Sequence, residues 1–251
     1  MLKDKRALVI GIANEHSIAY GCAKAFKSLG ADLAITYLND KAKPHVEPLA
    51  KELDASIFMP CDMRKDGELE AVFAEIGRKW GKLDIALHSI AFAPKDDLQG
   101  RLVDSSLDGF LAAIDVSCHS FIRMARLSES LMKEGGTLFT MSYYGAHMVV
   151  EHYNLMGPIK AALEATVRYL AAELGPKIRV NAISPGPIRT RAASGLSHFD
   201  ELLSVATTKA PAKALATIDD VGNATAALAT EAGRLITGET IYVDGGYHII
   251  D

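Results

Sequence analysis

The stretch ALVIGIANEHSIAYG, residues 7–21, decides how the rest of the chain is read. Its first part, Ala7 to Ala13, is almost wholly apolar and predicts a strand buried on both faces. From Ser17 an amphipathic pattern runs to Gly30 and predicts a helix. Between them Gly11, Ala13, Ser17, Ala19 and Gly21 are small enough for the backbone to pass close to a pyrophosphate, and Ser17 stands where it would cap the helix. The turn lacks the G-x-G-x-x-G fingerprint, so by itself it also reads as a plain tight corner.

Working outward, the same alternation repeats to the end of the chain. Strands are expected at 32–37, 56–62, 84–91, 136–142, 178–185 and 239–246, and helical patterns at 67–81, 110–132, 160–175 and 219–233. Helical patterns stop at Gly30, Gly81, Gly135 and Gly175, where a chain turning through positive φ is expected. Apolar strands separated by helices predict an α/β fold, a doubly wound parallel sheet of the Rossmann type, in a single domain over 1–251. The stretch 190–216, rich in small residues, reads as an irregular insertion and substrate-binding lid.

Bulk properties narrow the function. The 251 residues carry a net charge of −4 with mixed signs, so no basic stripe suits nucleic acid. No apolar run reaches the ~18 residues that span a bilayer, and the start, MLKDKRALVIGIA, reads as a strand rather than a signal peptide. Cys22, Cys61 and Cys118 are scattered, which suits small buried residues in a reducing cytoplasm. The eight histidines form no metal-like spacing, and no metal is expected.

At the nucleotide end, ligands of open parallel sheets bind beyond the carboxyl ends of the strands. Asp62 closes the third strand, where a carboxylate can accept the adenine amino group, and Ile90-Ala91 follow the fourth, where a ribose can approach. The second strand ends Tyr37-Leu38-Asn39-Asp40-Lys41, without the single acid that marks NAD and without an Arg for a 2′-phosphate, so NADH is favoured over NADPH.

The chemical end is SYYGAHMVVEHYNLMGPIK, residues 142–160. Residues seven apart on a helix lie ~20° apart in azimuth and ~10 Å apart along the axis. Tyr153 and Lys160 can therefore share a face, although Met156 occupies the position four before the lysine. Spacing alone equally allows Tyr153 to staple the helix start while Lys160 points to solvent.

The motifs Gly11-x5-Ser17-Ile18-Ala19-x-Gly21, Cys61-Asp62, His88-Ser89-Ile90-Ala91-Phe92-Ala93-Pro94, Ser142-Tyr143-x-Gly145-Ala146, Tyr153-x2-Met156-Gly157-x2-Lys160, Arg179-Val180-Asn181-Ala182-Ile183-Ser184-x-Gly186-Pro187-Ile188-Arg189-Thr190 and Val243-Asp244-Gly245-Gly246 run through nearly the whole chain. Together they closely resemble the NADH-dependent enoyl-[acyl-carrier-protein] reductase branch of the short-chain dehydrogenase/reductase family. That resemblance implies an oxidoreductase of fatty-acid biosynthesis, cytoplasmic and homotetrameric, reducing trans-2-enoyl thioesters. It places Gly11, Ser17, Ile18, Leu38, Asp62, Met63 and Ile90 on the adenosine and pyrophosphate half of the cofactor. Lys160 would hold the nicotinamide ribose, and Ile188, Arg189, Thr190, Arg191 and Ala192 the carboxamide and phosphates. Ala93, Tyr143, Tyr153 and Met156 would face the substrate, with Tyr143, Tyr153 and Lys160 as the catalytic group.

Departures from the branch lie in the lid. Leu196-Ser197-His198-Phe199-Asp200-Glu201-Leu202 is net negative where basic residues suit an acidic carrier protein, and Pro211-Ala212-Lys213-Ala214 replaces an Arg pair. A coenzyme A thioester therefore stays open beside the acyl-carrier-protein thioester. Two other readings are a carbonyl or alcohol dehydrogenase of the same fold, against which Met156 argues, and an inactive nucleotide-binding scaffold, against which the Tyr153–Lys160 pair argues.

Overall fold

The computed structural model describes residues 1–190 and 199–250. Seven strands, β1 (Arg6–Ile10), β2 (Asp32–Tyr37), β3 (Ile57–Pro60), β4 (Ile85–His88), β5 (Gly136–Met141), β6 (Ile178–Pro185) and β7 (Thr240–Val243), form one sheet in the order β3-β2-β1-β4-β5-β6-β7. Every pairing is parallel, with Ala7 opposite Leu33 on one side and Ile85 on the other. Helices α1 (Ile18–Ser28), α2 (Lys43–Glu52), α3 (Glu68–Trp80), α4 (Lys95–Gln99), α5 (Leu107–Ile114), α6 (Ser120–Glu129), α7 (Met156–Leu174), α8 (Phe199–Lys209) and α9 (Ile218–Ala229) join or follow the strands.

Strand alternation sorts the core into two layers. Leu8 and Ile10 face one side with Leu138 and Val180, under Phe73 of α3, Phe121 of α6 and Leu163 of α7. Ala7 and Val9 face the other with Ile35 and Phe139, under Phe26 of α1, Val46 of α2 and Val221 of α9. Each fully buried Leu, Ile or Phe in these layers contributes about 2 kcal/mol of transfer free energy. The strands thus read as continuous apolar runs because helices cover both faces.

Several expectations change at this level. Pattern 110–132 divides into α5 and α6 around a π-helical stretch, Asp115–His119. The wider turn brings the Ser117 hydroxyl to the Phe92 backbone, accepting from its N–H at 2.9 Å and donating to its carbonyl at 3.1 Å. Gly30, Gly81 and Gly135 have positive φ, but Gly175 has φ −66° and ψ 155° because Pro176 follows and excludes helical backbone before it. The stretch 190–216 is not irregular throughout, since α8 occupies eleven of its residues. Residues 191–198 of the expected lid lie outside the described residues. Among the described residues no helix is long and apolar enough to cross a membrane.

Candidate active site

The strand order reverses between β1 and β4, where crossovers leave in opposite directions and open a crevice at the carboxyl ends of the strands. A cavity of about 390 Å³ lies there, its wall drawn from the ends of β1, β4, β5 and β6 and the start of α7. That volume falls in the range of small-molecule sites.

At one end, Gly11 holds φ +115°, and a Cβ there would sit 2.1 Å from the Ser89 carbonyl oxygen, so only glycine lets β1 turn beside β4. Ser17 is the N-cap residue of α1, yet its hydroxyl does not cap the helix. It accepts from the N–H groups of Ala13 and Asn14 at 3.0 and 3.1 Å and so fastens the turn from inside. The first-turn amides of α1 are left without a side-chain cap, pointing their partial positive charge at the crevice. Gly21 has a different role from the one expected. A Cβ there would lie 2.0 Å from the Ile218 carbonyl oxygen, so its smallness serves the crossing of α1 and α9.

At the other end the wall is made of side chains. Lys160 on α7 is 4 % exposed, and its ammonium donates to the Met141 carbonyl at 2.6 Å. Burial lowers its pKa to about 8, with the Glu164 carboxylate and the Cys118 thiol opposing the shift. Tyr153 precedes α7 rather than lying on it, in a turn flanked by His152 and Asn154 at φ 64° and 41°. The Tyr153 carbonyl accepts the Met156 amide, so the turn feeds directly into the helix. The two-turn helical separation expected from the sequence therefore does not describe the pair, although both side chains line the cavity. Burial, then the Glu164 carboxylate, raises the Tyr153 phenol pKa and keeps it protonated. Its ring lies against Gly145, where a Cβ would meet Cδ1 at 2.6 Å, and edge-on to Tyr143 at 4.9 Å between centroids. The Tyr143 hydroxyl is buried without a partner of hydrogen-bonding geometry, its pKa also raised by burial.

Of the residues expected at the site, the cavity wall brings together Gly11, Ser17, Ile18 and Ile90 with Ala93, Tyr143, Tyr153, Met156, Lys160, Ile188 and Thr190. It does not include Leu38, Asp62, Met63 or Arg189. Leu38 is 46 % exposed, and Met63 is buried in the core. Both oxygens of Asp62 are held by Arg64 at 3.0 and 2.9 Å, and the guanidinium lies over the Phe92 ring. Arg189 pairs with Asp200 of α8 at 2.6 Å. Arg191 and Ala192 lie outside the described residues.

Ser142, Glu164 and His147 form a group that was not among the expected site residues. The Ser142 hydroxyl donates to Glu164 Oε1, whose other oxygen faces His147 Nε2. A signal was present, because Glu164 lies four residues after Lys160 on the apolar face of α7. His88 is buried between Thr140 and Ser120, and burial and Lys160 lower its pKa to about 3, so it is a neutral strut. The three cysteines are free and buried; burial pushes Cys22 and Cys61 up to about 12, which leaves them unreactive thiols. Among the described residues no three His, Cys, Asp or Glu side chains gather as a metal site.

An uncapped helix N-terminus, a glycine corner and a buried Tyr/Lys pair at the switch point of a parallel sheet define a class, the nucleotide-dependent oxidoreductases of the Rossmann type. A family model described as Enoyl-(Acyl carrier protein) reductase matches residues 11–248, and the chain belongs to that family. It is 47 % identical to an NADH enoyl-[acyl-carrier-protein] reductase of Salmonella typhimurium, covering 99 % of this chain and 95 % of the relative. The crystal structure of an enoyl-(acyl-carrier-protein) reductase from Anaplasma phagocytophilum in complex with NAD superposes with TM-score 0.95 at 46 % identity, covering 99 % of this chain and 95 % of that one. A Bacillus cereus enoyl-acyl carrier protein reductase, solved with NADP+ and an indole naphthyridinone, gives TM-score 0.97 at 43 % identity, covering all of this chain and 98 % of that one.

Proposed function

We propose that this chain is an NADH-dependent enoyl-[acyl-carrier-protein] reductase, which saturates the carbon–carbon double bond of trans-2-enoyl thioesters in fatty-acid biosynthesis. The observation that carries the reading is the placement of Tyr153 and Lys160 on one cavity, with apolar Met156 between them, in a chain of this family. The cofactor fits what the chain offers: a corner that a Cβ would fill, uncapped α1 amides for a pyrophosphate, and a buried ammonium with donors to spare for ribose hydroxyls.

NADH, when bound, supplies a hydride to the β-carbon of the thioester. Negative charge then develops on the thioester oxygen, and the Tyr153 phenol, still protonated, donates to that oxygen where the charge forms. Lys160 adds a positive charge to the same pocket and would hold the ribose. Tyr143 lines the acyl side, and Ala93 and Met156 shape it without adding polar groups. Ser17, Ile18 and Ile90 line the nucleotide side, while Leu38, Asp62 and Met63 would act from beyond the cavity wall. Ile188 and Thr190 would contact the carboxamide and phosphates, with Arg189, Arg191 and Ala192 beside them.

The acyl-carrier-protein thioester is the proposed substrate, and the segment 190–216 its lid, tied down at one point by the Arg189–Asp200 pair. A homotetramer is supported by the apolar Leu107, Leu111, Ile122 and Tyr169, which stand exposed on α5, α6 and α7. A cytoplasmic site of action accords with free thiols and with substrates carried by a soluble protein. Oxidation of NADH and NADPH with crotonyl thioesters of acyl-carrier protein and coenzyme A, and with simple ketones, tests the reading. Fastest turnover is expected with NADH and the carrier-protein thioester. Turnover on ketones alone would overturn it in favour of a carbonyl reductase, and none on any substrate would favour a scaffold.

A further inference from the structure

Glu164 is 2 % exposed, on the buried face of α7. Burying a carboxylate is costly unless its oxygens are engaged. Here each oxygen meets a different partner. Oε1 accepts from the Ser142 hydroxyl at 2.5 Å, and Oε2 lies 2.5 Å from Nε2 of His147. Ser142 belongs to the cavity wall, whereas the His147 side chain is 57 % exposed. The three groups therefore make an unbroken chain of hydrogen bonds from solvent to the cavity. Lys160 faces Glu164 from one turn earlier on α7, Tyr153 from the turn before it, and Tyr242 from β7.

We propose that Ser142, Glu164 and His147 are a proton relay that refills the cavity after each hydride transfer, an inference that rests on the enoyl-reductase reading. Saturating a carbon–carbon double bond takes one hydride and one proton. The hydride brings both electrons, so the relay moves protons only. Doubly protonated His147 gives its Nε2 proton to Glu164 Oε2, and the neutral carboxyl turns about Cγ–Cδ to present that proton to Ser142 Oγ, whose own hydrogen swings from the carboxyl toward the cavity. The hydroxyl releases its own hydrogen into the cavity, where the enolate takes it to form the new C–H bond at the α-carbon. His147 then recovers a proton from water or buffer.

The test is turnover of crotonyl thioester by His147→Ala and His147→Gln at saturating NADH, with and without imidazole in the buffer. The relay predicts that kcat falls about tenfold to a hundredfold in both variants. Imidazole should restore it in proportion to concentration, and the solvent deuterium isotope effect should grow, while NADH binding measured by fluorescence titration stays put. The glutamine keeps a hydrogen bond to Glu164 but cannot shuttle a proton, so full activity in His147→Gln would reduce the histidine to a strut and overturn the relay. Turnover within about twofold of the parent in His147→Ala, or a loss that imidazole leaves untouched, would overturn it as well. A parent chain that reduces no enoyl thioester would instead remove the reductase reading, and the relay with it.

Discussion

The two ends of the cavity are built from different materials. The nucleotide end is backbone: the Gly11 corner, a turn fastened by Ser17, and the amides of α1. The chemical end is ionisable side chain: Tyr153, Lys160 and Glu164, all buried, with pKa values of the first two displaced by that burial. Backbone dipoles fixed by the fold suit a ligand group whose charge does not change, such as a pyrophosphate. Side chains with shifted proton affinities suit a centre where charge appears and disappears. On the proposed function, the same sheet would support binding at one end and chemistry at the other.

The sharpest way to break that division is Tyr153→Phe. Turnover should drop roughly several-hundredfold, while NADH affinity by titration calorimetry moves less than about threefold. Affinity lost in step with turnover would mean that the tyrosine belongs to the binding end. Next in size is Gly11→Ala, where a Cβ 2.1 Å from the Ser89 carbonyl at φ +115° has nowhere to go. Urea unfolding should show a loss of about 3 kcal/mol, and an unchanged midpoint would dissolve the backbone argument.

The third prediction concerns pH. Lys160 is cationic below its lowered pKa of about 8 and neutral above it. kcat/KM should therefore hold below that value and decline by up to about tenfold per unit as pH rises beyond it. A profile flat well into the alkaline range would show that the charge is not needed. Smallest is Arg64→Ala, which frees both Asp62 oxygens for an adenine amino group. NADH should bind about twofold tighter, since a half-exposed ion pair contributes little. Weaker binding would make Arg64 itself part of the nucleotide end.

What the sequence made legible follows the same division. Strands β2 and β6 were readable to the residue, because apolar β-branched runs in a two-faced sheet leave little ambiguity. The glycine corner was equally plain. Helix α2 was not, since Pro44 and Pro48 interrupt its pattern, although a proline in the first turn costs a helix no hydrogen bond. The Tyr153–Lys160 pairing was legible as a spacing but not as a geometry. Positive φ at His152 and Asn154 keeps the tyrosine out of the helix that follows, and those residue types tolerate that backbone without announcing it. Ser142 and His147 meet Glu164 only through the packing of β5 and its following loop on α7, a contact no local pattern encodes.

The crossing of α1 and α9 bears on a chain still emerging from the ribosome. Gly21 and Gly222 bring the two helix backbones together, a Cβ on Gly222 falling 2.3 Å from the Gly21 carbonyl oxygen. The helix made first therefore leaves a groove that α9 later fills. Until α9 is synthesised, the buried face of α1 is open to water, and the Gly11 corner beside it stands without that cover. Cover for the start of α1 therefore waits on α9.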